Sequence, residues 1–242
     1  MNICLFSADE VASGRLSASD ERARHIIKIL HKVSGDTFSA GIIGGKAGSA
    51  LITAINDGEI SFSFTPESDG KSLYPLDLII GFPRPIQLKR LLRDAAGLGV
   101  RSVHLTGTQL GEKSYLQSNV VKDGGAQKML LDGTVQAAST HVPSLFVHEN
   151  LKACLCEVSA EEKIALDNVG ASTSLLSLSQ KIKGAKSVVA AIGSERGWSE
   201  EERNLLEREG FVRASMGKRV LRTETAATVA MSLILGEMGF LD

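Results

Sequence analysis

Two rhythms of hydrophobic and polar positions run along this chain. Up to about residue 70, apolar or β-forming residues come in short bursts, at Ile3–Phe6, Thr37–Ile43, Ala50–Ile55 and Ile60–Thr65. Gly, Asn and Asp separate the bursts, at Gly41, Gly44-Gly45, Gly48 and Asn56-Asp57-Gly58. The last has the chemistry of a tight hairpin turn. The alternation in Glu59-Ile60-Ser61-Phe62-Ser63-Phe64 fits a half-buried strand, whose side chains take opposite faces in turn. One helical segment interrupts, from about Ser19 to Lys32. Ser19 or Asp20 can cap it, and Ile26, Ile27 and Leu30 share an apolar face. Residues 1–70 therefore read as a small β-barrel-like domain. The polar stretch Pro66–Lys71 is the candidate linker.

From Leu73 the rhythm becomes strand alternating with helix. The strands expected are Leu76–Phe82, Ser102–Thr106, Ser144–His148, Lys163–Asp167, Ser187–Ile192 and Phe211–Ala214. The helices expected are Ile86–Ala96, Ala126–Ala138, Glu200–Glu209 and Thr223–Met238. Pro85 stands where a helix would start. Ser199 followed by Glu200, Glu201 and Glu202 marks a strong helix N-terminus, because acids suit its positive end. This alternation predicts an α/β domain over 73–242 with a mostly parallel sheet.

Composition changes the picture little. The chain has 242 residues, 43% of them hydrophobic, and a net charge of −1, which is ordinary for a globular protein. No apolar run reaches the ~18 residues of a membrane span. The N-terminus lacks the basic and apolar regions of a signal peptide. Cys4, Cys154 and Cys156 make neither a disulfide framework nor a zinc ribbon, so a reduced cytoplasmic setting is expected. The five histidines show no metal-ligand spacing, and no metal is expected. Charge distribution says more than its sum. Arg84–Arg101 carries five cations (Arg84, Lys89, Arg90, Arg93, Arg101) against Asp94 alone. Arg213–Arg222 carries four cations and no acid. Such patches suit phosphates, although either alone also fits a solvated helix face.

Two Gly turns carry the candidate chemistry. Gly193-Ser194-Glu195-Arg196-Gly197-Trp198 follows an apolar strand and precedes a capped helix. Met216-Gly217-Lys218-Arg219-Val220-Leu221-Arg222-Thr223-Glu224-Thr225-Ala226 likewise joins a strand to a helix. Both would lie at the carboxyl edge of the sheet, where open α/β folds bind ligands. The glycine-rich stretch Gly41–Gly48 lacks a dinucleotide fingerprint and lies among strands. Gly107–Ser114 has the wrong spacing for a phosphate loop.

The paired turns resemble the SPOUT methyltransferases, and most closely the RsmE-type 16S rRNA uracil-N3 methyltransferases. Their pattern runs roughly G-P-E-G-G-F and then L-G-x-R-I-L-R-T-E-T-A; here it reads G-S-E-R-G-W at 193–198 and M-G-K-R-V-L-R-T-E-T-A at 216–226. Upstream, Arg24–Leu30 with Gly35-Asp36 is similar to the family's R-x-x-H-I-x-K-V-L-R…G-D. Leu98-Gly99-Val100, Gln136 and Val142-Pro143 match further motifs, so the resemblance spans nearly the whole chain. The chain departs from the pattern at His31, Gly97, Val135, Ser139 and Arg196, mostly in RNA-facing elements.

The resemblance implies a trefoil-knotted SPOUT domain preceded by a PUA-like RNA-binding β-barrel, with S-adenosylmethionine held in the knot. Leu166, Gly193, Gly197, Met216, Gly217, Val220 and Leu221 are the implied cofactor contacts. Arg222 is the candidate to stabilise charge on the target uracil, with Glu224 orienting it or accepting a proton. The alternative for both is a structural ion pair with helix capping. Arg22, Arg24, Lys28, Lys32, Arg84, Lys89, Arg90, Arg93, Gln136 and Arg219 are the candidate RNA contacts. The implied partners are 16S rRNA or the small ribosomal subunit, and a second copy of the chain, with no membrane. Alternatives are a SPOUT enzyme acting on another RNA, a non-catalytic RNA-binding homologue, or a Rossmann-type enzyme, which the missing glycine fingerprint disfavours.

Overall fold

The computed structural model describes residues 2–56 and 58–241; Asp57, in the expected hairpin turn, lies outside the described residues. The chain divides into two compact units, Met1–Ser72 with Asp132–Val142, and Leu73–Leu131 with Pro143–Asp242.

The first unit contains β1 (Cys4–Phe6), α1 (Ala8–Ser13), β2 (Arg15–Ser17), α2 (Glu21–Arg24), β3 (Thr37–Ile42), β4 (Ala47–Asn56) and β5 (Glu59–Ser68). Its five-stranded, barrel-like sheet has the order β1-β3-β4-β5-β2, with β1 and β3 parallel and the other pairs antiparallel. Inward positions of these strands meet in one core of Phe6, Phe38, Ile52, Ile60 and Phe62, with Ile26 from the helical segment. Phe6 stacks on Phe62 with ring centroids 4.5 Å apart.

Three local features of this unit differ from the sequence expectation. α1 and β2 were not foreseen; α1 is held by a Ser7/Glu10 capping box but is only six residues long. The expected helix Ser19–Lys32 is shorter. Asp20 caps α2, which widens into a π-turn over His25–Ile29. Pro66 to Ser68, assigned to the linker, belong to β5. The returning segment Asp132–Val142 is tied into the unit by polar bonds. Thr140 Oγ1 donates to the Gly45 carbonyl at 2.6 Å, and Lys71 Nζ donates to the Ala137 carbonyl at 3.0 Å.

The second unit alternates as expected through β6 (Tyr74–Gly81), α3 (Pro85–Leu98), β7 (Val100–Thr106), α4 (Asn119–Lys122), α5 (Gly125–Gln136, its residues from Asp132 on counted with the first unit), β8 (Ser144–His148) and α6 (Leu151–Glu157). It continues with β9 (Glu162–Leu166), β10 (Thr173–Ser174), α7 (Ser179–Gly184), β11 (Val188–Ile192), α8 (Glu200–Arg208), β12 (Val212–Ser215) and α9 (Thr223–Glu237). The short elements α4, α6, α7 and β10 had no visible period. The sheet order is β10-β12-β9-β11-β6-β7-β8, and every pairing is parallel. β11 is buried along its whole length, the usual state of a parallel strand covered on both faces.

This order positions the site. From β6 the chain moves outward to β7 and β8, then crosses to build the other half around β9 and β11. The direction of winding reverses at β6 and β11, and a crevice opens at their carboxyl ends. Ser199 and Glu202 form a capping box that starts α8, as the sequence predicts. α9 buries Ala226, Ala227, Ala230, Met231, Ile234 and Leu235. Thr228 on α9 donates to Asp94 on α3 at 3.0 Å. Among the described residues no helix is long and apolar enough to cross a membrane.

Candidate functional site

Both Gly turns end at the crevice. The first leaves β11 at Ile192 and closes on itself. Gly197 N donates to the Ser194 carbonyl at 2.8 Å. A Cβ on Gly193 would stand 2.7 Å from the Gly197 carbonyl carbon, so no side chain fits there. Trp198, 1% exposed, anchors the turn in the core beneath α8. Glu195 reaches across and accepts from the Arg84 backbone N–H at 2.9 Å, at the start of α3. The second turn leaves β12 and enters α9 at Thr223. Gly217 takes φ 109°, in the left-handed region, and open space lies on its Cβ side.

Between the turns is a cavity of about 480 Å³. Leu166, Gly193, Gly197, Met216, Val220, Leu221 and Arg222 all line it, together with Arg84. Gly217 does not line it but turns the chain between residues that do. Glu224 does not line it: it is 7% exposed, and its Oε2 is buried without a hydrogen-bond partner among the described residues. The sequence reading missed Gln87, Asp167, Asn168, Ser194, Glu195 and Thr223 in the lining. Among the described residues the buried Oε1 of Gln87 likewise has no partner. Asp167 was within reach of inference, as the residue directly after Leu166 at a strand end. A larger cavity of about 1040 Å³ lies beside the Gly107–Ser114 loop and α8, lined by Phe82, Leu116, Leu151 and Leu205 among others; it holds none of the predicted site residues.

Asp167 ties the walls together. Arg203, on α8, donates through Nε to Asp167 Oδ2 at 2.6 Å, and Arg213, on β12, approaches the same oxygen at 3.5 Å. Arg213 also donates to Glu207 Oε1 at 2.6 Å and to the Val169 carbonyl at 3.0 Å. One buried carboxylate therefore fixes the end of β9, the helix after the first turn and the strand before the second. The Arg213 charge, read from sequence as part of a phosphate-facing cluster, is spent inside this network.

The cavity fits a nucleoside-bearing sulfonium cofactor. Glycine backbone at 193 and 197 leaves room for close approach, apolar walls come from Leu166, Met216 and Leu221, and charged groups of both signs stand at the mouth. Arg222 is exposed, precedes the first turn of α9 and makes no side-chain cap bond there.

The expected RNA contacts are scattered over both units. In the second unit, Arg84, Lys89, Arg90 and Arg219 are exposed; Arg93 is exposed and engaged in an interaction of its own. In the first unit, Arg24 and Lys28 are exposed, Lys32 is half-buried, and Gln136 is exposed with its carbonyl accepting from Asn2. Arg22 is different. Its guanidinium bonds Glu10, Asp20 and the Leu5 carbonyl and lies 5.3 Å from the Phe6 ring centroid. These bonds serve the barrel's own fold, and the helical spacing that grouped Arg22 with Arg24 could not show them.

Hydrogen bonds from Arg22 hold the Glu10 and Asp20 carboxyls below their ordinary values. Lowered carboxyl values add stability above the unfolded-state pKa, and that stability is lost as pH falls through the folded one. Arg22→Met should therefore lower the melting temperature by several degrees at pH 7. The gap between variant and parent should close as the pH is taken from 5 to below about 3. Thermal melts across that range check it, and a gap that ignores pH would refute the ion-pair account.

A family model described as an RNA methyltransferase domain matches residues 70–235. The ribosomal RNA small subunit methyltransferase E of Treponema pallidum is 41% identical over 97% of this chain and 91% of its own. A ribosomal RNA small subunit methyltransferase E 1 from Borreliella burgdorferi is 33% identical over 97% of each chain. A crystal structure of ribosomal RNA small subunit methyltransferase E from Neisseria gonorrhoeae, bound to S-adenosyl methionine, shares the fold at TM-score 0.79 and 20% identity, over 98% of this chain and 97% of that one. A matched domain over most of the length, and relatives this similar from end to end, place the chain in the RNA methyltransferase family, in its ribosomal RNA small subunit methyltransferase E branch.

Proposed function

We propose that this protein methylates N3 of a uridine in small-subunit ribosomal RNA, with S-adenosylmethionine as donor. The observation that carries the reading is the single cavity closed by both family motifs, with Arg222 in its wall. The cofactor supplies an activated methyl group on a sulfonium centre. Leu166, Met216, Val220 and Leu221 pack its nucleoside, while Gly193 and Gly197 allow main-chain approach and Gly217 shapes the second turn. The protein's own task is then position and electrostatics. Arg222 stands where a uracil brought to the cavity would gather negative charge as N3 loses its proton. Glu224, buried in the first turn of α9, is assigned to orient the arginine or take that proton.

The two-domain reading belongs to this proposal: a PUA-like RNA-binding barrel over 1–70 and a knotted catalytic domain over 73–242. So does a homodimer, supported by Ile86, 79% exposed at the start of α3, and by Val220, which lines the cavity yet is 81% exposed. Free cysteines at 4, 154 and 156 accord with a reducing cytoplasm.

Methyl transfer to small-subunit RNA, with mapping of the modified base, tests the reading. The expected product is one 3-methyluridine. A methylated base in another RNA class, with none in this one, would replace it. Exposed Lys89 and Arg90 are assigned to the RNA backbone. Lys89→Ala or Arg90→Ala should weaken RNA binding about equally for all sequences, and each should reduce the slope of log K against log salt by ~1. A salt titration with unchanged slope would remove them from the interface.

A further inference from the structure

A second polar cluster lies in the catalytic-fold unit, away from the cavity, where β6, β7 and β8 run side by side beneath α6. His104, His148 and Cys154 are buried there, and one ligand atom from each lies within 4.8 Å of the other two. His104 Nδ1 and His148 Nε2 face each other at 3.0 Å. The outward nitrogens lead to carboxylates, that of His104 through the Ser102 hydroxyl and that of His148 directly. His104 Nε2 is 3.0 Å from Ser102 Oγ, which itself donates to Asp77 Oδ1 at 2.6 Å. His148 Nδ1 is 4.0 Å from Glu157 Oε2.

The tautomers follow from these bonds. The Ser102 proton is committed to Asp77, so Ser102 Oγ accepts from His104 Nε2–H, and His104 Nδ1 presents a lone pair to the cluster. With neutral rings alone, His148 Nε2 must then donate its proton to that lone pair. This leaves His148 Nδ1 without a proton and facing the carboxylate of Glu157, an unfavourable contact. A cation between the inward atoms removes the conflict. His148 takes the other tautomer, points Nδ1–H at Glu157, and both inward nitrogens become ligands. Carboxylates behind the outward nitrogens are the usual support of metal-bound histidines.

We infer that His104, His148 and Cys154 form a three-residue zinc site pinning α6 and the edge strand β8 to β7. Two nitrogens and a thiolate are a donor set zinc favours, leaving one position for solvent. Tetrahedral zinc needs ligand edges of about 3.3–3.6 Å, so the nitrogens part by a few tenths of an ångström and the sulfur closes by ~1.2 Å at most. Charge balances as well. Zinc with one thiolate leaves one positive charge, which Glu157 opposes, while Asp77 is already paired with Arg101. Binding moves the His148 proton from Nε2 to Nδ1 and releases the Cys154 thiol proton to solvent. The spacing hides the site because its ligands come from two strands and a helix.

The test uses the full chain and does not depend on methyl transfer. Protein purified without chelator should carry close to one zinc per chain. Removing the zinc should lower the melting temperature, and adding it back should restore it. Cobalt(II) added to the stripped protein should give thiolate-to-cobalt charge transfer in the near ultraviolet and the strong visible bands of four-coordinate cobalt. Cys154→Ser should abolish the charge-transfer band, and His148→Gln should weaken ion binding at least tenfold. If the folded wild-type chain takes up no cobalt, or takes it up without a thiolate band, the inference is overturned and the two imidazoles merely share a proton. The wild-type spectrum decides the question even if a variant fails to fold.

Discussion

Replacing Arg222 with alanine should reduce methyl transfer by at least 10²–10³-fold while leaving S-adenosylmethionine affinity within a few-fold of the parent. The expectation rests on where Arg222 sits. It lines the cavity, its side chain makes no cap bond to α9, and it is exposed. The cofactor-facing backbone and apolar walls come from other residues, so truncation leaves the donor's site intact. Loss confined to turnover is the signature of an interaction made as charge develops. Single-turnover rates with saturating donor, beside direct binding of the donor, separate the two effects. Arg222→Lys keeps the charge without the planar fork and should recover part of the rate. Normal turnover in Arg222→Ala would end the catalytic assignment. A joint fall of donor affinity and rate would make Arg222 a wall of the donor site instead.

The largest effect on stability is expected at Asp167. Its side chain is 4% exposed, and that of Arg203 is 12% exposed. Removing the carboxylate takes the main partner from the largely buried Arg203, which among the described residues keeps only the longer contact to exposed Glu200, and so should cost up to the ~3 kcal/mol at the low end of a broken buried pair. For a chain of this size that is on the order of a 10 °C fall in melting temperature. Asp167→Ala should also weaken the donor site, because the same carboxylate holds β9, α8 and β12 in register around it. Asp167→Asn keeps the shape and an acceptor, so it should lose less. Calorimetry and donor titration on the two variants check both parts. A melting temperature within 2 °C of the parent for Asp167→Ala would show that the network contributes little. Exposed ion pairs elsewhere, such as Arg15 with Glu59, should give no comparable change.

The two glycine turns were legible because their signal is local: a strand's apolar run, a turn that needs glycine, and a helix start with its acids. The cavity needed more. Gln87, Asp167 and Asn168 belong to segments far along the chain from either turn; only Asp167 and Asn168 have a marker, the strand end at Leu166 that they follow. Arg22 shows the opposite error. Its helical spacing beside Arg24 suggested a phosphate-facing row, yet Glu10 and Asp20 had already taken its hydrogen bonds. Spacing reports which side of a helix a residue occupies. It does not report what waits there.

Local patterning was enough to set the β-rich start, the alternating α/β remainder, every strand of the parallel sheet except β10, and the two motifs that identify the family. These follow from periods of two and 3.6 residues and from turn chemistry, all local properties of a chain. Tertiary structure alone decided the strand order, and hence the crevice at β6 and β11. It also decided the return of Asp132–Val142 to the first unit and the meeting of Asp167 with Arg203 and Arg213. It likewise gathered His104, His148 and Cys154. Those outcomes depend on contacts between distant residues, where burial and ion pairing are set by the neighbours that packing delivers.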